Sequence, residues 1–294
     1  MPVDSLLKTV FLPLALFIIM FGMGMSLTPA DFVRVLKRPK AKCVGLVCQL
    51  VLLPLTALGL VVVFGLSGEL AVGMMLIAAC PGGATLNIIS HLSKGDTALS
   101  VTLTAVTSVV TVFTIPLIVG ESLAHFVGAE AEIALPFGKT VIQLIVVTVL
   151  PIGLGMWLNR AKPGLTRRMG GTFNTLSVVF LALIIVAAVL KEENLAGHFR
   201  QVGLPAALLN VLTMAIGFGV ASLARLETRQ RVTISIESGI QNGTLALGIA
   251  LGILESPAIA MPAVVYSLLM FGTGAVVIAV RIARGRQMVC STEG

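Results

Sequence analysis

The residues with the most chemistry in them stand together in Ser235-Ile236-Glu237-Ser238-Gly239-Ile240-Gln241-Asn242-Gly243-Thr244. This stretch, inside an apolar segment, holds a carboxylate, two carboxamides, two glycines and several hydroxyls. Every other Asp and Glu can be placed in a loop or at a segment end, and Glu237 cannot. A charge near a bilayer centre costs about 2.5–3.5 kcal/mol on insertion scales, so one retained there points to function. Glu237 and Gln241 are four residues apart and share one helical face. An interruption at the glycines would let the carbonyls between Ser238 and Ile240 turn inward. Hard cations such as sodium take several oxygen ligands of these kinds.

Three further oxygen donors suit the same chemistry: Gln49, an isolated amide in an apolar segment, and Ser100 with Thr104, again four apart. Each has a plainer reading. Hydroxyls in membrane helices commonly bond back to their own backbone, Gln49 could join two helices, and Glu237 could be protonated and structural. The set is far more specific than any member.

The starts of two interrupted segments offer the opposite chemistry. Half-helices beginning near Ala84 and Asn242 would present unpaired N–H groups and a positive dipole end. Thr85, Asn87, Asn242, Gly243 and Thr244 would surround an anion such as a carboxylate there. Charge counting agrees, since one Glu with two sodium ions leaves +1, which a monovalent anion cancels. One Glu with one proton leaves zero and suits a neutral solute.

These residues need a membrane to position them. Of 294 residues 57% are hydrophobic and 11% charged, against about 25% charged in soluble domains. The apolar residues arrive in blocks of roughly 20, the length of a spanning helix, so the chain is expected to be an all-α polytopic membrane protein. Nine segments are expected, near 5–27, 43–66, 69–96, 97–120, 135–158, 172–190, 202–223, 232–254 and 258–280. Acidic residues Glu121, Glu130 and Glu132 mark a loop between the fourth and fifth, and the basic loop with Arg167 and Arg168 precedes the sixth. The first block has a weakly charged leading end and a basic cluster behind it, as a retained helix would rather than a removed signal. With the N-terminus outside and the C-terminus cytoplasmic, 16 of the 20 basic residues fall inside, as the positive-inside rule requires.

Segments three and eight are both broken by Gly or Pro within their apolar cores, at Cys80-Pro81-Gly82-Gly83 and at Ser238 to Gly243. Paired interrupted segments in corresponding places point to an inverted-repeat transporter with its site at the midplane. Segments six to nine then answer one to four, and segment five lacks a partner, as if a first helix were missing. The glycine pairs Gly239/Gly243 and Gly248/Gly252 read as close-packing positions.

Several classes are excluded. The net charge of +7 is distributed between apolar blocks, and aromatics are only 5%, so nucleic acid is not a partner. Cys43, Cys48, Cys80 and Cys290 have no metal-ligand spacing, so no cofactor is expected beyond coupling ions. A hydrolase needs Ser-His, Ser-Lys or paired acids within the membrane, but His, Lys and Asp are confined to loops and segment ends. A passive channel would have no need of paired broken helices.

The chain resembles the bile acid:sodium symporter family. The resemblance rests on Phe21-Gly22-Met23-Gly24-Met25, Pro29-Ala30-Asp31-Phe32, Cys80-Pro81-Gly82-Gly83 with Asn87, Gly95-Asp96-Thr97-Ala98-Leu99-Ser100, and Glu237-Ser238-Gly239-Ile240-Gln241-Asn242-Gly243. It implies two discontinuous helices crossing at the midplane, in a core that moves against a panel. The panel would be 1–38 and 127–200, the core 39–126 and 201–294, in the nine-helix form of bacterial members. It also implies two sodium sites. One would use Asn87, Ser100, Thr104 and Glu237, and the other Gln49, Glu237 and Gln241 with the carbonyls of Ser238 and Ile240. Leu86 departs from the pattern, standing where members often have a hydroxyl before the Asn. The implied function is sodium-coupled import of an organic anion, a small carboxylate or bile-acid-like, across a bacterial inner membrane. No obligate protein partner is expected.

The alternative is a proton-coupled exporter of arsenite or another neutral small solute, with Cys80 and Glu237 as thiol and carboxylate. Cys80→Ser separates the two: sodium-driven uptake should stay near wild type, whereas arsenite efflux from loaded cells would be abolished.

Overall fold

A computed structural model describes residues 10–33, 39–83, 85–128, 136–192 and 194–290. They form α1 (Leu12–Gly24), α2 (Pro29–Val33), α3 (Pro39–Val63), α4 (Gly68–Ala79), α5 (Leu86–Leu92) and α6 (Thr97–Phe126). These are followed by α7 (Phe137–Ala161), α8 (Pro163–Lys191), α9 (Leu195–Leu223), α10 (Thr228–Gly239), α11 (Gly243–Gly252) and α12 (Pro257–Cys290). Six of them, α3, α6, α7, α8, α9 and α12, are long and apolar enough to cross a membrane. The protein is a multi-pass, all-helical membrane protein. Among the described residues the one isolated β-bridge is Gly82 with Gln241, antiparallel.

Prolines shape the long helices without ending them. A proline lacks an N–H and its ring clashes with the carbonyl four residues back. In α3 the turn Cys48–Leu52 widens to π geometry just before Pro54, and in α7 Ile145–Val149 does so before Pro151. Each widened turn passes its bond one residue further, Leu53 N–H to Cys48 O and Leu150 N–H to Ile145 O. That accommodates the ring, and in α3 it is the turn that carries Gln49.

Helix ends run further than apolar length alone suggests. Glu121 was expected in a loop, but α6 continues through it and His125 to Phe126; Glu130 and Glu132 lie outside the described residues. Arg167 and Arg168 belong to the first turns of α8 rather than to a loop, and α9 begins at Leu195, ahead of its apolar block. Hydropathy marks only the turns that meet lipid. Polar turns that project past it hold their backbone bonds just as well.

Two pairs of short helices, α4 with α5 and α10 with α11, keep one spacing. Gly68 and Ala79 bound α4, Thr228 and Gly239 bound α10, and the offset is 160 residues at both ends. The same offset relates Leu92 to Gly252 and Thr97 to Pro257. At one extremity Glu69, in the first turn of α4, accepts from Ser256 Oγ beyond the end of α11, at 2.8 Å. At the other, Thr233 in α10 accepts from Asp96 N–H at 2.8 Å and lies 3.0 Å from Ser90 Oγ, beside the end of α5. The start of each pair therefore lies beside the end of the other, and the two run in opposite directions.

The helices around these pairs differ in burial. Residues 70–79 of α4 and 243–251 of α11 are all buried, whereas α8 exposes Val178, Val179, Leu183, Val186 and Leu190. Helix α1 packs along α7 and α8. Its approach to α7 is set by two glycines: a Cβ at Gly24 would strike the Ile152 backbone, and one at Gly155 the Phe21 carbonyl. Of the four glycines expected at packing positions, Gly239, Gly243 and Gly248 meet Met214, Ser267 and Leu16, but Gly252 faces open space.

Gly155→Val should force α1 from α7 and cost about 1–3 kcal/mol, read as a lower midpoint of thermal unfolding in detergent. Gly153→Val on the same helix, where a Cβ meets nothing within 4 Å, should leave the midpoint unchanged.

Candidate functional site

Three helices deliver oxygen atoms to one buried place. Asp96 caps α6 by accepting from Leu99 N–H, and one turn on, Ser100 and Thr104 point towards Glu237 of α10. Ser100 Oγ is 2.5 Å from Glu237 Oε1 and 2.9 Å from Asn87 Oδ1 of α5. Thr104 Oγ1 lies 3.4 Å from both carboxylate oxygens. Ser100, Thr104 and Glu237 are completely buried. Gly82 closes the group from α4's end: a Cβ there would stand 3.4 Å from Glu237 Oε2 and 2.8 Å from Leu86 Cδ1.

With Glu237 ionised, this cluster has too few protons. Ser100 carries one hydroxyl hydrogen, yet two acceptors, a carboxylate and an amide oxygen, lie within bonding distance. Among the described residues no Lys, Arg or His pairs with Glu237. A carboxylate buried without an opposite charge costs several kcal/mol. A cation among the four oxygens removes both difficulties, because it needs acceptors only.

The two chain breaks lie against one another. Gly82 pairs with Gln241, and Asn242 N–H donates to Pro81 O at 2.8 Å. Ile240 is extended, with φ −113° and ψ 106°. Gln241 Nε2 donates to Ser238 O at 3.0 Å, so the Ser238 carbonyl, expected to turn inward, already has a partner. Ser238 itself is still helical, and its hydroxyl bonds back to Ile234 O at 2.8 Å. Gln241 Oε1 and both polar atoms of Gln49 are buried with no partner; Gln49 stands on the π turn packed against α10. Each buried orphan costs about 1–3 kcal/mol and calls for an explanation such as an ion.

The residues expected around an anion divide into two groups. Thr85, Asn242, Gly243 and Thr244 line a cavity of about 20 Å3, closed by residues of α1, α8 and α12 such as Ile19, Leu181 and Met270. Asn242 Oδ1 caps α11 by accepting from Leu245 N–H at 3.0 Å, while its Nδ2 is buried without a partner. Asn87 is not at this cavity. It belongs to the Glu237 cluster and lines a separate cavity of about 300 Å3 with Met23, Ser26, Asn159, Thr166 and Arg167.

Two residues at the break went unread in the sequence. Asn210 Nδ2 and the Tyr266 hydroxyl both donate to Gly239 O, at 2.6 and 2.8 Å. The available signal was the one that picked out Gln49: an amide alone in an apolar segment, and the chain's one tyrosine in another.

A model of the sodium bile acid symporter family matches residues 13–198, well over half of the chain. An uncharacterized sodium-dependent transporter of Bacillus subtilis is 29% identical over 258 residues, covering 87% of this chain and 78% of that one. The human ileal sodium/bile acid cotransporter is 28% identical over 249 residues, 82% of this chain and 69% of its own. A probable chloroplastic sodium/metabolite cotransporter of Oryza sativa is 28% identical over 260 residues; the match covers 88% of this chain but only 61% of the plant protein.

Ser100→Ala removes the shared hydroxyl and should weaken any sodium-dependent rise in thermal stability by about tenfold in half-saturating concentration, the size of a hydrogen bond to a charged group. Thr102→Ala is the control, since its hydroxyl serves only its own helix at Ala98 O, 2.8 Å away, and the sodium response should be unaltered.

Proposed function

Because this chain belongs to the sodium bile acid symporter family, we propose that it is a sodium-coupled secondary active symporter that imports a small organic anion by alternating access. The observation that carries the reading is Ser100's single proton between Glu237 and Asn87, an arrangement suited to a cation. The relatives named for sodium-dependent transport support the same ion.

Two sodium ions fit the donor set. The first would be held by Asn87, Ser100, Thr104 and Glu237. The second would be held by Gln49, Glu237, Gln241 and the carbonyls of Ser238 and Ile240. The orphaned oxygens of Gln49 and Gln241 support the second site. Leu86 is fully buried against Gly82, so the first site goes without a hydroxyl at that position. Thr85 faces the small cavity instead. Two sodium ions on one carboxylate leave +1, which a monocarboxylate at Asn242, Gly243 and Thr244 would balance at the positive end of α11.

The architecture we infer has nine spans: α1, α3, α4–α5, α6, α7, α8, α9, α10–α11 and α12. The constant offset and opposed directions of the two broken pairs support an inverted repeat. The core would be 39–126 with 201–294, and the panel 1–38 with 127–200. The basic clusters support a cytoplasmic C-terminus and an outside N-terminus, and the membrane in this reading is a bacterial inner membrane. On that orientation the cavity beside Asn87, with Arg167 at its wall, opens inward and would be the route by which the first sodium leaves. Binding of both ions draws the broken helices around Glu237 and completes the anion site; the loaded core then moves past the panel. With its ions gone, Glu237 is a bare charge in a closing site, which penalises return without cargo.

Replacing potassium by sodium at constant ionic strength should raise the thermal midpoint of the purified protein, a ligand at 100 times its Kd adding about 2.7 kcal/mol. Glu237→Gln should abolish the rise and sodium-driven uptake together; full uptake by that variant would sink the proposal. No sodium response in wild type, combined with a response to pH, would favour proton coupling and put arsenite first among solutes to test.

A further inference from the structure

The carbonyl of Gly239 is the last of α10 and has no helical partner, because the chain turns extended at Ile240. It is nevertheless doubly bonded. Asn210 reaches it from α9 at 2.6 Å and Tyr266 from α12 at 2.8 Å. Both donors are completely buried, and Asn210 Oδ1 has no partner of its own. Gly239 is pressed onto α9 so closely that a Cβ would strike Met214 and come within 3.3 Å of Asn210 O. Two donors fill both lone pairs of this carbonyl, where a carbonyl inside a helix takes one N–H.

The neighbours of this carbonyl explain the surplus. Gly239 stands between Ser238 and Ile240, the residues whose carbonyls belong to the second sodium site in our reading, on which this inference rests. A helix C-terminus gathers unpaired carbonyls and partial negative charge, and a backbone break leaves each peptide plane able to rotate. In extended backbone successive groups face opposite sides. Holding the Gly239 carbonyl towards α9 and α12 therefore aims the Ile240 carbonyl away from them.

We infer that Asn210 and Tyr266 are positioning residues for sodium: they fix the Gly239 peptide plane from behind, so that the break presents the Ile240 carbonyl to the cation without either residue touching it. They set sodium affinity, whereas a mere cap would set stability alone.

Sodium titrations of the thermal midpoint in a potassium background separate the two roles, using the full-length protein, Tyr266→Phe and Asn210→Ala. Tyr266→Phe keeps the ring and deletes one hydrogen bond, so half-saturating sodium should rise about fivefold, whatever happens to the midpoint in potassium. Asn210→Ala should move it in the same direction, and decides the matter if Tyr266→Phe does not fold. Half-saturating sodium within twofold of wild type in the folded variants would overturn the inference, even with a lowered midpoint in potassium. A wild type with no sodium response would instead overturn the sodium reading, and this inference with it.

Discussion

The structure depends on two non-helical stretches of chain satisfying each other's backbone. In a low-dielectric interior every freed N–H and C=O must find a partner, and chain breaks at 80–85 and 240–242 free many. The crossing answers this with the Gly82–Gln241 bridge and the Asn242 N–H to Pro81 O bond. Small residues are required for it. A Cβ at Gly83 would come within 3.2 Å of Gln241 O, and with the breaks held apart Glu237 would lose the place where Ser100, Thr104 and Asn87 meet. Side-chain chemistry here is thus a product of main-chain pairing.

That pairing also separates positive from negative preference. The end of α10 brings carbonyls and a carboxylate, while the start of α11 brings the positive end of its dipole and the unpartnered Asn242 Nδ2. One short crossing offers opposite environments on its two sides, so an ion pair could be held without any Lys or Arg in the centre. Of the two cavities, the larger carries a positive side chain, Arg167, at its wall.

Much of this was legible in the residues. Pro81, Gly82 and Gly83 interrupt an apolar run, and α4 stops at Ala79; Gly239 ends α10 in the same way. Glu237 stood out because insertion energetics make an acid there expensive. Other features were hidden for physical reasons. Helices extend past lipid on polar turns, as α6 does through Glu121, and hydropathy does not register them. The π turns come from steric relief at Pro54 and Pro151, a local effect that leaves apolar periodicity almost unaltered. Asn87 and Thr85 are two residues apart but face different cavities, because a helix turns about 200° over two residues. Asn210 and Tyr266 act on a carbonyl 27–29 positions distant, and only the fold discloses such a partner.

The pairing of Tyr266 with Gly239 has a practical side. Tyr266 is the chain's one tyrosine and Trp157 its one tryptophan. The first is buried against the broken helix; the second is exposed on α7. Tyrosine emission overlaps tryptophan absorption, so light absorbed at the crossing can be re-emitted from α7. The molecule carries its own donor and acceptor, one buried beside the Gly239 carbonyl and one exposed on α7, and their spacing can be followed optically in the unlabelled protein.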